Sequence, residues 1–318
     1  MTTPQELLKE VKEHFKYIPN VKTESSEVFL KNTLDTLEDT IENLNYPEEE
    51  KVKLFMDDHI VEDLSKDILE IFEEDERERI KTKIAFGKII NTTVNALCVE
   101  KDGNFVIVVN EGLLQLLHRF GKLLTASAEP HNVLYCNRGN VKDIDSQTYK
   151  TWAFELIENY EKYNSPIGAM VNLTKDAMIS HAITLNLQEL FVVCHELGHY
   201  LNGDLFQKEN LKELINTSWN IYCENKNHEI EYKADLTGFN ILCKVAKKKY
   251  GIGKDELLPF IAFLFDILGT ITKETDSHPD PIIRTYNIIK YNFSEQSAED
   301  YLKTYSDELS LNDFFATK

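Results

Sequence analysis

Two helices that must turn polar side chains toward one point constrain this chain more than anything else in it. The first is "QELFVVCHELGHYLNGD", residues 188–204. Leu190, Val193, Leu197 and Leu201 recur there at helical spacing, and Asn202-Gly203 is a stop signal. His195 and His199 then fall on one face, about 40° apart in azimuth and roughly 6 Å apart along the axis. The second is "HEIEYKADLTGF", residues 228–239, where Glu231 and Asp235 also share a helical face. Gly238, less than a turn beyond Asp235, would let the two helices approach closely.

Two imidazoles so placed can reach one metal ion. A catalytic zinc takes three protein ligands and keeps a fourth position for water, and Glu231 supplies the third. Asp235, one turn on, is placed to accept the free ring N–H of a ligand histidine and fix its tautomer. His181 and His228 stay open as alternative ligands, although neither has a spacing partner as good as Glu231. Cys194 adjoins His195 but points to another face and reads as core. Asp204 is read as part of the helix-terminal turn.

The charge balance narrows the partners. Asp and Glu number 54 against 35 Lys and Arg, a net charge of -19, which argues against a nucleic-acid partner or an anionic membrane surface. The five cysteines are scattered, with no C-x-x-C pair, and read as free thiols in a reducing compartment. "MTTPQELLKEVKEHF" lacks the pattern of a secretory signal. "LLPFIAFLFDILGTI", residues 257–271, is too short for a bilayer and contains Asp266. The expectation is a cytoplasmic protein with no membrane span.

Along the chain, residues 1–85 are charged and helical in pattern, an acidic lobe that packs on or regulates the rest. Residues 86–318 form the expected catalytic domain. Runs at 94–99 and 105–109 flank Asp102-Gly103-Asn104, a hairpin signal. Helices are predicted from Glu111 and over 147–163, 187–201, 229–249, 255–273 and 280–293, leaving 128–146 and 200–228 unassigned. The fold class is mainly α with a small β-sheet (α+β).

H-E-L-G-H-x-x-N-G-D followed by E-Y-K-A-D resembles the gluzincin metallopeptidases, specifically the CAAX prenyl-protease and HtpX heat-shock group. "NALCVEKDGNFVIVVNEGLL" is similar to that group's strand and helix start ahead of the zinc helix. "SHPDPIIRTYNII" is similar to its later His-Pro motif with a following arginine. The matching segments span about 95–290. Asn227-His228 stands where that group often has Ser-Arg, and that group is commonly membrane-embedded where no span is expected here. A Lit-like phage-exclusion peptidase fits the lack of an anchor better.

The resemblance implies a zincin-like catalytic domain with Zn²⁺ held by His195, His199 and Glu231, its bound water acidified towards a pKa of about 7. Glu196, about 100° round the helix from His195, would take the proton from that water and pass it to the leaving amine. The resemblance makes His278 the candidate for holding the carbonyl oxygen's developing charge, with Arg284 as an orienting residue. A strand near 105–109 would offer an open edge to a protein or peptide substrate, with Asn95 and Ala96 bordering the groove. The expected function is a soluble zinc-dependent endopeptidase, kept quiet until an activating partner opens it or an inhibitory one leaves. The alternative is a catalytically silent zincin-fold regulatory or binding protein.

Overall fold

The computed structural model describes residues 2–15, 59–163, 167–204, 226–272 and 279–308. Its elements are α1 (Pro4–Phe15), α2 (His59–Leu69), α3 (Glu74–Lys83), β1 (Ile84–Ile89), β2 (Ala96–Lys101), β3 (Asn104–Asn110), α4 (Glu111–Ala128), β4 (Val133–Cys136), α5 (Ser146–Tyr163) and β5 (Val171–Leu173). They continue with α6 (Lys175–Asn202), α7 (Lys226–Tyr250), α8 (Lys254–Thr272), α9 (Pro281–Asn292) and α10 (Glu295–Glu308). The chain is mainly helical with a small β-sheet, as its sequence predicts.

β3 organises that sheet. Its sequence, "NFVIVVN", is apolar at every interior position, the signature of a strand covered on both faces. Phe105, Ile107 and Val109 point into the main core with Leu116 and Phe120 of α4 and Leu190 and Phe191 of α6. Val106 and Val108 point the other way, onto Ala85 and Ile89 of β1 and Leu7 and Val11 of α1. Each such side chain, fully buried, stabilises the fold by roughly 1.5–3 kcal/mol.

The strand order is β1-β3-β2, with β1 parallel and β2 antiparallel to β3. The β2–β3 hairpin turns at Asp102 and Gly103, both at positive φ (55° and 74°), the geometry that matches the twist of a two-residue connection. β3 is therefore paired on both sides, which corrects the expectation of an open edge at 105–109: among the described residues β2 carries that edge. The expectation failed because an apolar run shows which residues are buried and says nothing of lateral order.

β1 is absent from the sequence-based prediction, since a short segment such as "IAFGKI", apolar but for Lys88, fits a strand and a buried helical turn equally well. It contains the boundary expected at residue 85. α1 covers the outer face of β1 and β3, and Val61, Leu64 and Ile68 of α2 belong to the main core. The described parts of the first 85 residues thus share cores with the later elements; helices predicted within 16–58 lie outside the described residues. β4 and β5 form a separate antiparallel pair, the former inside the segment left unassigned.

α6 is longer than predicted, starting at Lys175 instead of near 187. From Leu187 to Leu201 every residue is buried, whereas residues 175–186 are mostly exposed or half-buried, so the apolar pattern marks only the second half of the helix. Among the described residues it is the helix long and apolar enough to cross a membrane, where the sequence reading expected none. Of its most apolar window 56% is buried within the fold. The ring of Tyr200 meets Phe105 edge-on at 4.8 Å, tying α6 to the sheet.

Candidate metal centre

α7 packs against α6 more extensively than any other pair of elements in the fold. The packing depends on two glycines. A Cβ on Gly198 would lie 2.8 Å from the carbonyl oxygen of Ala234, and one on Gly238 would lie 2.9 Å from the amide nitrogen of His195. With hydrogen in both places the backbones touch, and short acidic side chains on α7 reach the histidines of α6.

The imidazoles of His195 and His199 point their Nε2 atoms at each other across 3.2 Å. Glu231 closes the triangle, with Oε2 3.3 Å from His195 Nε2 and Oε1 3.7 Å from His199 Nε2. One donor atom from each of the three lies within 4.8 Å of the other two. The Nδ1 atoms face outward to carboxylates. His195 Nδ1 donates to Asp235 Oδ1 at 2.8 Å, and His199 Nδ1 donates to Asp204 Oδ2 at 3.2 Å. Both rings are thereby held in the tautomer that leaves an Nε2 lone pair for a metal. Two imidazoles and a carboxylate are a donor set that fits zinc with a further position open.

Asp235 is wholly buried and serves two partners. Arg284 donates to it through Nε at 2.8 Å and Nη2 at 2.6 Å. The arginine arrives there because Asp280 caps α9, accepting from Ile282 N at 2.7 Å, with Pro281 in the first turn. Its guanidinium also stacks on Phe265, 4.1 Å from the ring centroid. Arg284 is thus linked to His195 through Asp235.

The electrostatics follow from burial and pairing. Burial pulls the His195 imidazole down, but hydrogen bonds to Asp235 and Glu231 outweigh it and push the group up to about 10. Burial raises the Glu231 carboxyl, yet the His195 hydrogen bond and nearby cationic groups hold it down at about 2. Asp235, raised by burial, is kept below the usual carboxylate range by Arg284 and His195. In the metal-free protein the protonated His195 ring thus donates from Nδ1 to Asp235 and from Nε2 to Glu231, and a metal bound at Nε2 would displace the second of these protons. Burial pushes Glu196 above the ordinary range, against the pull of the two histidines.

Comparison with protein-family models, curated proteins and solved structures returns no match.

A cleft of about 520 Å³ opens on the three donors. Glu196 lines it, and among the described residues no hydrogen bond or ion pair occupies its carboxylate. Asn95 and Ala96 line it too, followed by Leu97 and Cys98 of β2. Phe191, Val192, Leu264 and Phe265 form an apolar wall beside the metal donors. Asn110 N donates to Asn95 O, so 95 and 110 are a hydrogen-bonded pair, and by strict alternation the backbone groups of Ala96 and Cys98 face away from β3. Asn95 Oδ1 accepts from the Ala96 amide at 3.0 Å.

The structure brings together His195, Glu196, His199, Glu231, Asp235, Arg284, Asn95 and Ala96. His278 lies outside the described residues. His181 is elsewhere, its Nε2 3.3 Å from His118 Nδ1; His228 stacks edge-on with Tyr232. Cys194 is fully buried. Sequence spacing misses Asp204 as a partner of His199. The sequence does carry a signal for it: a glycine after a helix folds the following residue back over the last turn.

Proposed function

We propose that this chain is a zinc-dependent endopeptidase that hydrolyses peptide bonds of a protein substrate in the cytoplasm. The observation that carries the reading is the convergence of His195, His199 and Glu231 within 4.8 Å, in a cleft that also holds Glu196. The segments similar to the CAAX prenyl-protease and HtpX group support it independently of that geometry.

His195, His199 and Glu231 would hold the ion. When bound, zinc supplies Lewis acidity and makes water a competent nucleophile near neutral pH. Glu196 takes a proton from the attacking water and delivers it to the amine nitrogen as the C–N bond breaks. Its burial favours the protonated state needed for the second half of that transfer. Asp235 holds the His195 ring, and Arg284 holds Asp235. An extended substrate adds to the outward-facing groups of Ala96 and Cys98, with the side chain of Asn95 turning away to free the Ala96 amide. An apolar side chain then rests against Phe191, Val192, Leu264 and Phe265.

The test compares cleavage of a cellular proteome by the native chain and by Glu196→Gln, with zinc content measured on both. Fragments made by the native chain alone, at equal zinc, support the reading. Identical fragment patterns would remove the peptidase claim, and identical patterns with stoichiometric zinc would favour a catalytically silent regulator.

A further inference from the structure

The two ligand histidines are served by carboxylates of different origin. Asp235 reaches His195 from another helix and is itself neutralised by Arg284. Asp204 comes from the same helix as His199, by a turn. Gly203 adopts a left-handed conformation (φ 73°), its amide bonds to Tyr200 O at 3.1 Å, and the Asp204 amide bonds to His199 O at 3.1 Å. This closure lays the Asp204 side chain back over the last turn, 3.2 Å from His199 Nδ1 and only 10% exposed.

A carboxylate is a poor choice for that place on helix grounds alone. The C-terminal end of a helix carries partial negative charge and favours cations. Among the described residues His199 is the sole ion-pair partner of Asp204. Among the described residues the cleft and its back wall also contain Glu196, Glu231 and Asp235, against the guanidinium of Arg284 and, without a metal, the protonated ring of His195. A turn needs none of this; a bound divalent cation offsets it.

We infer that Asp204 is a positioning residue for the metal, accepting the Nδ1 proton of His199 so that Nε2 presents its lone pair, and adding an un-neutralised negative charge beside the ion. The inference rests on the proposed metal centre. It assigns a role to the aspartate of H-E-x-x-H-x₄-D that its place in the turn alone does not require.

The experiment measures zinc affinity of the full chain by chelator competition at one fixed pH. The proteins are native, Asp204→Ala, Asp204→Asn and Glu231→Ala, with urea unfolding of each in metal-free form and the visible spectrum of each cobalt-loaded form. Removing an outer partner of a ligand histidine typically weakens binding by about 10–100-fold. That loss is expected for Asp204→Ala, with an altered cobalt spectrum and metal-free stability equal to or above native. Asp204→Asn keeps an acceptor oxygen and is expected to recover most of the native spectrum while binding more weakly than native. Tight binding that is lost in Glu231→Ala but kept in Asp204→Ala would overturn this proposal alone. So would a metal loss in Asp204→Ala matched by destabilisation of the metal-free fold. Equally weak binding by native and Glu231→Ala would overturn the metal reading and this proposal with it.

Discussion

Gly238 on α7 lies against the backbone of His195 on α6, where a Cβ would come within 2.9 Å of the amide nitrogen and 3.0 Å of Cα. This contact sets the distance at which Glu231 and Asp235, earlier on the same helix, meet the histidine ring. Helix propensity alone predicts that Gly238→Ala stabilises the protein by about 1 kcal/mol. The contact predicts the opposite sign, a loss of about 1–3 kcal/mol from overpacking, with zinc affinity reduced at least tenfold as α7 is displaced. Urea unfolding and chelator competition check both parts, and a stabilised variant with native affinity would show that the helices can separate without cost.

Arg284, itself largely buried, neutralises the fully buried Asp235. Breaking such a pair from one side leaves an uncompensated charge and costs about 3–5 kcal/mol. Arg284→Met should show that loss, and adding Asp235→Asn to it should restore a large part of the stability while zinc affinity stays low. Denaturant unfolding of the metal-free single and double variants measures the coupling; strict additivity of the two losses would contradict it.

Glu189 on α6 has its carboxyl pushed from 4.5 up to about 8 by burial, with Glu111 adding repulsion. Glu111 is itself paired with Lys88 at 3.0 Å. A raised carboxyl means that between those two values the native state holds a proton that the unfolded chain has released. Stability therefore falls as pH rises through that window and levels off above it. Glu189→Gln keeps the neutral form and should flatten the decline, gaining on the order of a few kcal/mol above pH 8 and almost nothing near pH 4. Urea midpoints at both ends of the window are the measurement, and an unchanged slope in the variant would place the titration elsewhere.

The open edge of β2 makes a residue-level prediction for substrate binding. A peptide held by Glu196→Gln should slow hydrogen exchange at the Cys98 amide, which faces away from β3. Leu97 and Val99, whose amides already bond to β3, should change little. Protection confined to the helices would remove β2 from the substrate path.

How much of this is legible in the sequence divides along a physical line. His195, Glu196, His199, Glu231 and Asp235 can be read because a helix converts sequence spacing into direction, and a three- or four-residue interval needs no knowledge of the rest of the fold. The Asp102-Gly103 hairpin and the existence of the later helices are legible for the same reason: turn chemistry and periodicity are local. Asp204 is within local reach too, through the helix-closing glycine, although periodicity alone does not pair it with His199.

What the tertiary structure decided is whatever depends on lateral order and on contacts between distant segments. The unbroken apolar run of β3 says that both of its faces are buried; only the pairing of β1 on one side and β2 on the other makes β3 central and leaves β2, among the described residues, as the edge beside the candidate metal donors. The charge of Arg284 is plain in the sequence, but its union with Asp235 depends on where α9 starts relative to α7. The candidate ligands belong to the sequence because helical geometry is repetitive. Their outer partners and the shape of the cleft belong to the fold, because packing two backbones together at Gly198 and Gly238 is a property of neither helix alone.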